Sequence, residues 1–390
     1  MVEGNRILND AAEIAFPRYP GSKGDARAIA VIERRFADLG LETSLEWFSY
    51  DLEPANRVLQ VALSAGAVWL AVAGIVTQRS PLLGLVLLAA ALLPGGIFLA
   101  WAPWLESLYR RDGDVQTANI IGRHGPTEPR LSLLLMAHHD SKSQSLTFPF
   151  RMGLTLITIL GTVVLIGLMV AGLVTGRVPG PPLLPTVIGG AIAAAMLGLS
   201  TMKSRNTSPG GVDNAGSVAI LFETARELPS TLPDDVELIF LSTGAEEDHM
   251  IGAMRWLDDH ARDFADRPVY CLNFDGAGAP GRVVLIERFG FGRMFSAVMS
   301  DAARRAAARL GIKVRGILML PGMGIDAIPF AHHGLPCLTL SSGSLDRATM
   351  AVHSANDHAG NLDPNTLAEV TRLAVETLKE LSKTDATIQR

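Results

Sequence analysis

The stretch 136-MAHHDSKSQSLTFPFRMGLTLITILGTVVLIGLMVAGLV-174 joins two different kinds of sequence. It opens with His138, His139 and Asp140 directly behind the apolar run Leu131–Ala137. That is an imidazole and carboxylate set at the end of a strand. About a dozen residues later it becomes Met152–Gly176, an uncharged apolar run. A bilayer core is crossed by roughly 20 such residues. The architecture follows from separating these two parts.

Composition leans toward the second part. The 390 residues are 48% hydrophobic and only 19% charged, against about 25% charged in an ordinary soluble chain. Mean hydropathy is +0.27. Three further runs carry no Asp, Glu, Lys or Arg: Val58–Gln78, Ser80–Leu105 and Val178–Met202. Short links at Arg79 and around Arg177 join the four into two hairpins. The expectation is four transmembrane helices, at 57–105 and 152–202. The polar remainder then forms one domain in three pieces, 1–56, 106–151 and 203–390. The ends facing that remainder carry Arg57, Arg110, Arg111, Arg151, Lys203 and Arg205, and the hairpin tips only Arg79 and Arg177. Basic residues collect on the cytoplasmic side, so the polar domain is expected there, with Trp101 and Trp104 at the interface. No basic-then-apolar leader opens the chain. A net charge of -5 gives no nucleic-acid footprint. Cys271 and Cys337 lie in apolar strand-like runs and read as reduced core thiols.

The polar pieces alternate between helical and strand periodicity. Strands are expected at Glu42–Tyr50, Asn119–Gly122, Leu131–Ala137, Val236–Ser242, Tyr270–Phe274, Val283–Glu287 and Leu335–Leu340. Helices are expected at Asp25–Leu39 with Gly40 as its stop, Ser217–Leu228, Met250–Asp266, Gly292–Leu310 and Pro364–Ser382. The pattern predicts an α/β fold, a mostly parallel twisted sheet flanked by helices. Ligands of such sheets gather at the carboxyl ends of the strands.

Chemistry-bearing residues fall at those ends: His138 and Asp140, then Asp213 in SPGGVDNAGS, Glu246 and Glu247 in STGAEED, Asp275 after VYCLNF, and His353 and Asp357 in MAVHSANDH. Imidazoles and carboxylates at one sheet edge suit zinc or a similar divalent ion. In His138-x-Asp140 an alternating strand points both side chains one way, so the carboxylate can fix the imidazole tautomer. Adjacent Glu246 and Glu247 point apart, which suits one metal ligand beside one general base.

The order AH-x-DS, G-x-DN-x-x-S, AEE, N-x-D and a late H-x-x-x-D resembles the M28 family of metallopeptidases, zinc aminopeptidases with a cocatalytic metal pair. The resemblance starts at PGSKGDARAIAVIERRFADLGLE and runs through DAIPFAHHGLPCLTLSSG to the last helix. It implies two Zn²⁺ ions, one held by His138 and Asp275, the other by Glu247 and His353, with Asp213 bridging. It makes Glu246 the general base and Asp140 the group that orients His138. Ala327 stands where the family often has His. His139, His249, His332, His333 and His358 are expected to be structural or exposed, and Asp357 to hold the His353 loop. The implied function is a membrane-embedded aminopeptidase acting on peptides, including hydrophobic or lipid-linked ones. Two alternatives are a single-zinc, glutaminyl-cyclase-like acyltransferase, which shares the HHDSK-type stretch, and a non-catalytic membrane scaffold.

Overall fold

The computed structural model describes residues 2–100, 111–264, 267–319, 323–344 and 346–383. Its strands are β1 (Glu42–Tyr50), β2 (Val115–His124), β3 (Leu131–His138), β4 (Ser143–Gln144), β5 (Ser204–Arg205), β6 (Val236–Thr243), β7 (Val269–Phe274), β8 (Arg282–Phe289), β9 (Arg293–Met294), β10 (Val314–Met319) and β11 (Cys337–Gly343). Its helices are α1 (Gly4–Ile14), α2 (Lys23–Asp38), α3 (Glu53–Thr77), α4 (Pro81–Ala100), α5 (Phe148–Thr175), α6 (Leu184–Ser200), α7 (Gly216–Glu227), α8 (Ile251–His260), α9 (Ala297–Leu310), α10 (Ala327–His332), α11 (Arg347–Met350) and α12 (Pro364–Leu381).

The chain divides into two compact units, one of residues 1–50, 112–143 and 205–390, the other of 51–111 and 144–204. The first is built on a sheet of order β1-β2-β6-β3-β7-β11-β8-β10, with β9 beside β8. Period-two alternation buries both of its faces. Leu133, Leu135 and Ala137 of β3 pack into one core with α1, α2, α7, α9 and α12. Leu134 and Met136 pack into the other with α8 and α10. The expectation of a mostly parallel sheet needs correction. The centre, β6-β3-β7-β11, is parallel, but β1, β2 and β8 run antiparallel to their neighbours on the sheet path, apart from the parallel pair β8-β10. The sheet is mixed.

Several expected elements match closely. Ser22 caps α2, its side chain accepting from the amide of Asp25, and Gly40 ends that helix at φ +76°. The Leu41 amide then reaches back to Phe36 O at 3.1 Å, a Schellman closure. Cys271 and Cys337 are opposite one another on β7 and β11, buried and unpaired as a disulfide. The stretch expected as a helix from Gly292 instead makes β9 first, and the helix starts at Ala297 behind its Ser296 cap.

In the sheet unit, the chain leaves after Tyr50 and Ser143 and returns before Asp112 and Arg205. Tyr50 pairs with Val115, and β2 runs antiparallel to β6, so this end of β1 and β2 lies at the carboxyl end of β6. Ser143 and Arg205 follow from β3, whose His138 is level with Thr243. Ser143 Oγ donates to Arg205 O at 3.0 Å. All four crossings therefore lie on one edge of the sheet.

The second unit is a group of apolar helices, α3 to α6. Two of them, Glu53–Thr77 and Phe148–Thr175, are long and apolar enough to cross a membrane. The 17 residues of α6 fall below that length, and of α4 the stretch Pro81–Ala91 is a shorter apolar helix among the described residues. Four spanning helices are thus not all evident, and Trp101, Trp104, Arg110 and the last residues of the run Ser80–Leu105 lie outside the described residues. These helices bury little of their apolar surface: Val68, Leu160, Val163 and Val187 are exposed. Helices α3 and α6 meet at Gly74 and Gly189, where a Cβ on either would lie 3.0 to 3.1 Å from the other's Cα. Small residues allow such close backbone approach between helices.

In the sheet unit, buried Glu223 on α7 receives Arg6 of α1 (2.5 Å) and Arg226 (2.9 Å), and Arg226 continues to Asp10 (2.8 Å). Burial pushes the Glu223 carboxyl up, but the two guanidiniums outweigh it and hold it below the usual range. A carboxyl depressed by folding stabilises above its unfolded pKa, and that stability is lost as pH falls through the folded value. Arg6 is partly exposed, which trims the ~3–5 kcal/mol of breaking a fully buried pair. Glu223→Gln should cost about 2 kcal/mol at neutral pH in urea unfolding, with the deficit shrinking below about pH 4.

Candidate metal centre

The site sits at the edge of the sheet where β3, β6 and β7 end. His138 is the last residue of β3, Glu246 and Glu247 follow β6, and Asp275 follows β7. Asp213 lies in the turn Gly211–Ala215 that opens α7. Its neighbour Asn214 ties this turn to the next: Asn214 Nδ2 donates to Phe274 O at 3.1 Å and the Gly276 amide donates to Asn214 Oδ1 at 3.1 Å. His353 comes from the loop after α11, at φ +61°. A non-glycine residue in that region is a conformation maintained by its surroundings.

These side chains converge on Asp213. Its Oδ1 is 3.1 Å from His138 Nε2 and its Oδ2 is 3.1 Å from His353 Nε2. His353 Nε2 is also 3.0 Å from Glu247 Oε2. Two ligand sets result, His138–Asp213–Asp275 and Asp213–Glu247–His353, each with donor atoms within 4.8 Å of one another. Glu246 belongs to neither set and stands with Oε2 3.8 Å from His138 Nε2. His138 Nε2 is buried and faces carboxylate oxygens, Asp213 Oδ1 at 3.1 Å and Asp275 Oδ1 at 3.9 Å. A lone pair aimed into a pocket of carboxylates is what a divalent cation fits. The donor set, nitrogen and oxygen without sulfur, suits zinc among other ions.

Electrostatics point the same way. Burial pushes Asp275 well up, and the negative charges of Asp213, Asp326 and Glu247 push it further, against His138. Burial likewise raises Glu246 well above the usual range, with Asp275, Asp326 and Glu247 adding to it. Asp213 goes the opposite way: burial is overcome by its bonds to His138 and His353. Burial lowers His353, yet Glu247 and Asp213 carry it up to about 9. Such crowding of carboxylates favours bound cations, which stabilise the ionised carboxylates and take the place of the imidazole protons.

The supporting contacts differ in part from those expected. Asp140 Oδ1 lies 3.4 Å from His138 Nδ1, so it flanks the ring as expected. It also accepts the amides of Glu246 and Glu247, both at 3.1 Å, and so fixes the turn that carries them. Asp357 holds a different loop from the expected one. It accepts from the amides of Val212 (2.8 Å) and Asp213 (3.2 Å). His139 is fully buried, between Ser242 (3.2 Å) and Asp25 (3.4 Å). His332, His333 and His358 are exposed.

Three residues escaped the sequence reading. Arg18 is buried and bonds the carbonyls of His139, Pro209 and Gly210, joining the loops that carry His138 and Asp213. No motif marks it, because its partners are backbone atoms. Asp326, just before Ala327, accepts a hydrogen bond from Thr243 and is raised by burial to about 6. Lys142 has its Nζ 3.2 Å from Glu247 Oε2. The HHDSK stretch was the available signal for it.

The model of peptidase family M28 matches residues 199–378, a little under half of the chain. Aminopeptidase YwaD of Bacillus subtilis (strain 168) is 27% identical over 128 residues, 33% of this chain and 28% of YwaD. The chain thus matches less than a third of that relative's length. Among solved structures, the zinc aminopeptidase BSAP from Bacillus subtilis is similar with a TM-score of 0.59 at 13% identity, over 99% of this chain and 97% of that one. The aminopeptidase from Aneurinibacillus sp. strain AM-1 follows at 0.58 and 14%, over 97% and 93%. Fimbriiglobus ruber glutaminyl cyclase reaches 0.55 at 11%, over 97% and 95%. The resemblance to M28 peptidases read from the motifs is borne out by the family match, and the structures share the fold.

Because Asp213 belongs to both ligand sets, Asp213→Ala should strip the protein of essentially all tightly bound metal. Asp275→Ala and His353→Ala should each remove about half, since each belongs to one set. Elemental analysis of the purified variants checks this. Equal loss in all three would contradict the shared role of Asp213.

Proposed function

We propose that this chain is a membrane-inserted zinc metallopeptidase of the M28 type that removes residues from the amino ends of peptides. The observation that carries the reading is the pair of ligand sets meeting at Asp213, with a carboxylate outside both sets beside them. His138 and Asp275 would hold one Zn²⁺, Glu247 and His353 the other, and Asp213 both. Bound there, the ions would supply a water acidified toward neutral pH and stabilisation for the carbonyl oxygen. Glu246, buried and raised by its acidic neighbours, takes the proton of the attacking water. It then returns that proton to the leaving amine, which makes one carboxyl both base and acid. Asp140 keeps the His138 ring and the Glu246–Glu247 turn in place.

The apolar helices are proposed to lie in a bilayer as two hairpins. Their outward apolar surface supports this, and lipid is the solvent that accepts it. The distribution of Arg and Lys supports a cytoplasmic position for the sheet unit. In the sheet unit, the four chain crossings share the edge that carries the candidate centre. From that we infer peptides held at or near a membrane as substrates. Labelling of single cysteines placed at residues 79 and 179 in sealed vesicles tests the orientation, since modification from the cytoplasmic side alone contradicts it.

A glutaminyl-cyclase-like activity is the second reading, favoured by the fold of the cyclase neighbours. Product analysis by mass spectrometry separates the two. The expected result is peptides shortened from the amino end, at a rate falling at least about 100-fold in Glu246→Gln with its metal content kept. Lipid-anchored peptides in liposomes should be cleaved faster than soluble aminoacyl anilides. Cyclised glutamine-terminal peptides, or full activity in Glu246→Gln, would sink the reading.

A further inference from the structure

Lys142 follows the His138–Asp140 loop and lies against Glu247 at three points. Its ammonium is 3.2 Å from Glu247 Oε2 and also donates to the Glu247 carbonyl. Its amide donates to Glu247 Oε1 at 3.3 Å. The same Oε2 is 3.0 Å from His353 Nε2 and belongs to the second ligand set. The other set has a different surrounding. There, His138 Nε2 faces the carboxylates of Asp213, Glu246 and Asp275 at 3.1, 3.8 and 3.9 Å. One pole of the site is thus crowded with negative charge, and at the other a fixed positive charge already occupies a ligand oxygen.

We propose that Lys142 is a positioning residue that competes with the second cation for Glu247, so that the Glu247–His353 position binds metal more weakly than the His138–Asp275 position. The inference rests on the reading of the site as a two-metal centre. A cation taking Glu247 Oε2 must either share that oxygen with the ammonium or displace it. The bond to the Glu247 carbonyl keeps a displaced ammonium close by. Like charges a few ångströms apart in a largely buried site repel strongly. The same contact holds the Glu247 carboxylate in ligand geometry while the position waits for its ion. Occupancy of the second position then follows the free metal concentration, and the first stays filled.

The experiment is a competition titration of the full-length, metal-free protein with Zn²⁺ against a chromophoric chelator, followed by Co²⁺ absorption. The wild type should show two affinities at least about tenfold apart. Lys142→Met should tighten the weaker one by about tenfold, leave the tighter one unchanged, and alter the Co²⁺ spectrum of the second ion alone. Lys142→Arg, which keeps the charge, should retain the wild-type separation. An unchanged tight affinity also reports that the variant is folded. Equal affinities in the wild type overturn the proposal, as does a weaker or unmoved second affinity in Lys142→Met. Failure of the wild type to bind zinc at all would instead remove the two-metal reading beneath it.

Discussion

Asp213 lies 3.1 Å from two imidazole nitrogens at once, with Asp275, Glu246 and Glu247 around it. Four carboxylates in one largely buried space repel each other, and the cost of desolvating them adds to that. Two devices offset it in the structure. The imidazoles of His138 and His353 share the charge of Asp213, and the surrounding loops are fixed by bonds from backbone amides and to backbone carbonyls. Asp140, Asn214, Asp357 and Arg18 each hold at least one loop, and none of them belongs to either ligand set. The sheet brings the ends of β3, β6 and β7 side by side, so the remaining requirement is loop geometry.

Much of this was legible in the amino-acid sequence for physical reasons. The central strands are short apolar runs ending in polar residues, and the ligand candidates follow them directly. Asp213 stood out because its turn, GGVDNAG, has a composition unlike the helix it opens. What the sequence could not show is which backbone groups the helpers would bind. Asp357 was expected to hold the His353 loop but accepts the amides of Val212 and Asp213. His139 lies in the loop after β3, as expected, but its burial against Asp25, more than a hundred positions away, could not be read from the sequence. Arg18 was invisible because backbone carbonyls leave no residue-type pattern. The antiparallel edges also escaped notice, since an apolar strand carries no mark of its neighbour's direction. Strand β10 was missed because its first five residues are all partly or well exposed to solvent, and Arg315 and Gly316 interrupt its apolar pattern.

The apolar helices raise a separate physical question. A soluble bundle turns its apolar stripe inward, whereas only 22% and 17% of the apolar windows of the two long helices are buried. That surface is compatible with lipid and costly in water. Both insertions leave the sheet unit beside the candidate centre: one after Tyr50, whose hydroxyl donates to Asp248 at 2.8 Å, and one after Ser143. Asp248 is the neighbour of Glu247. The first departing segment is therefore tied to the covalent neighbour of a residue that would bind metal, which is one reason the proposed substrates are ones held at a membrane.

The most direct test of the central claim is an anomalous diffraction measurement at the zinc edge on the metal-loaded protein. The account predicts two peaks about 3.5–4 Å apart, with Asp213 between them, His138 and Asp275 on one and Glu247 and His353 on the other. A single peak, or a pair that Asp213 does not touch, would contradict it.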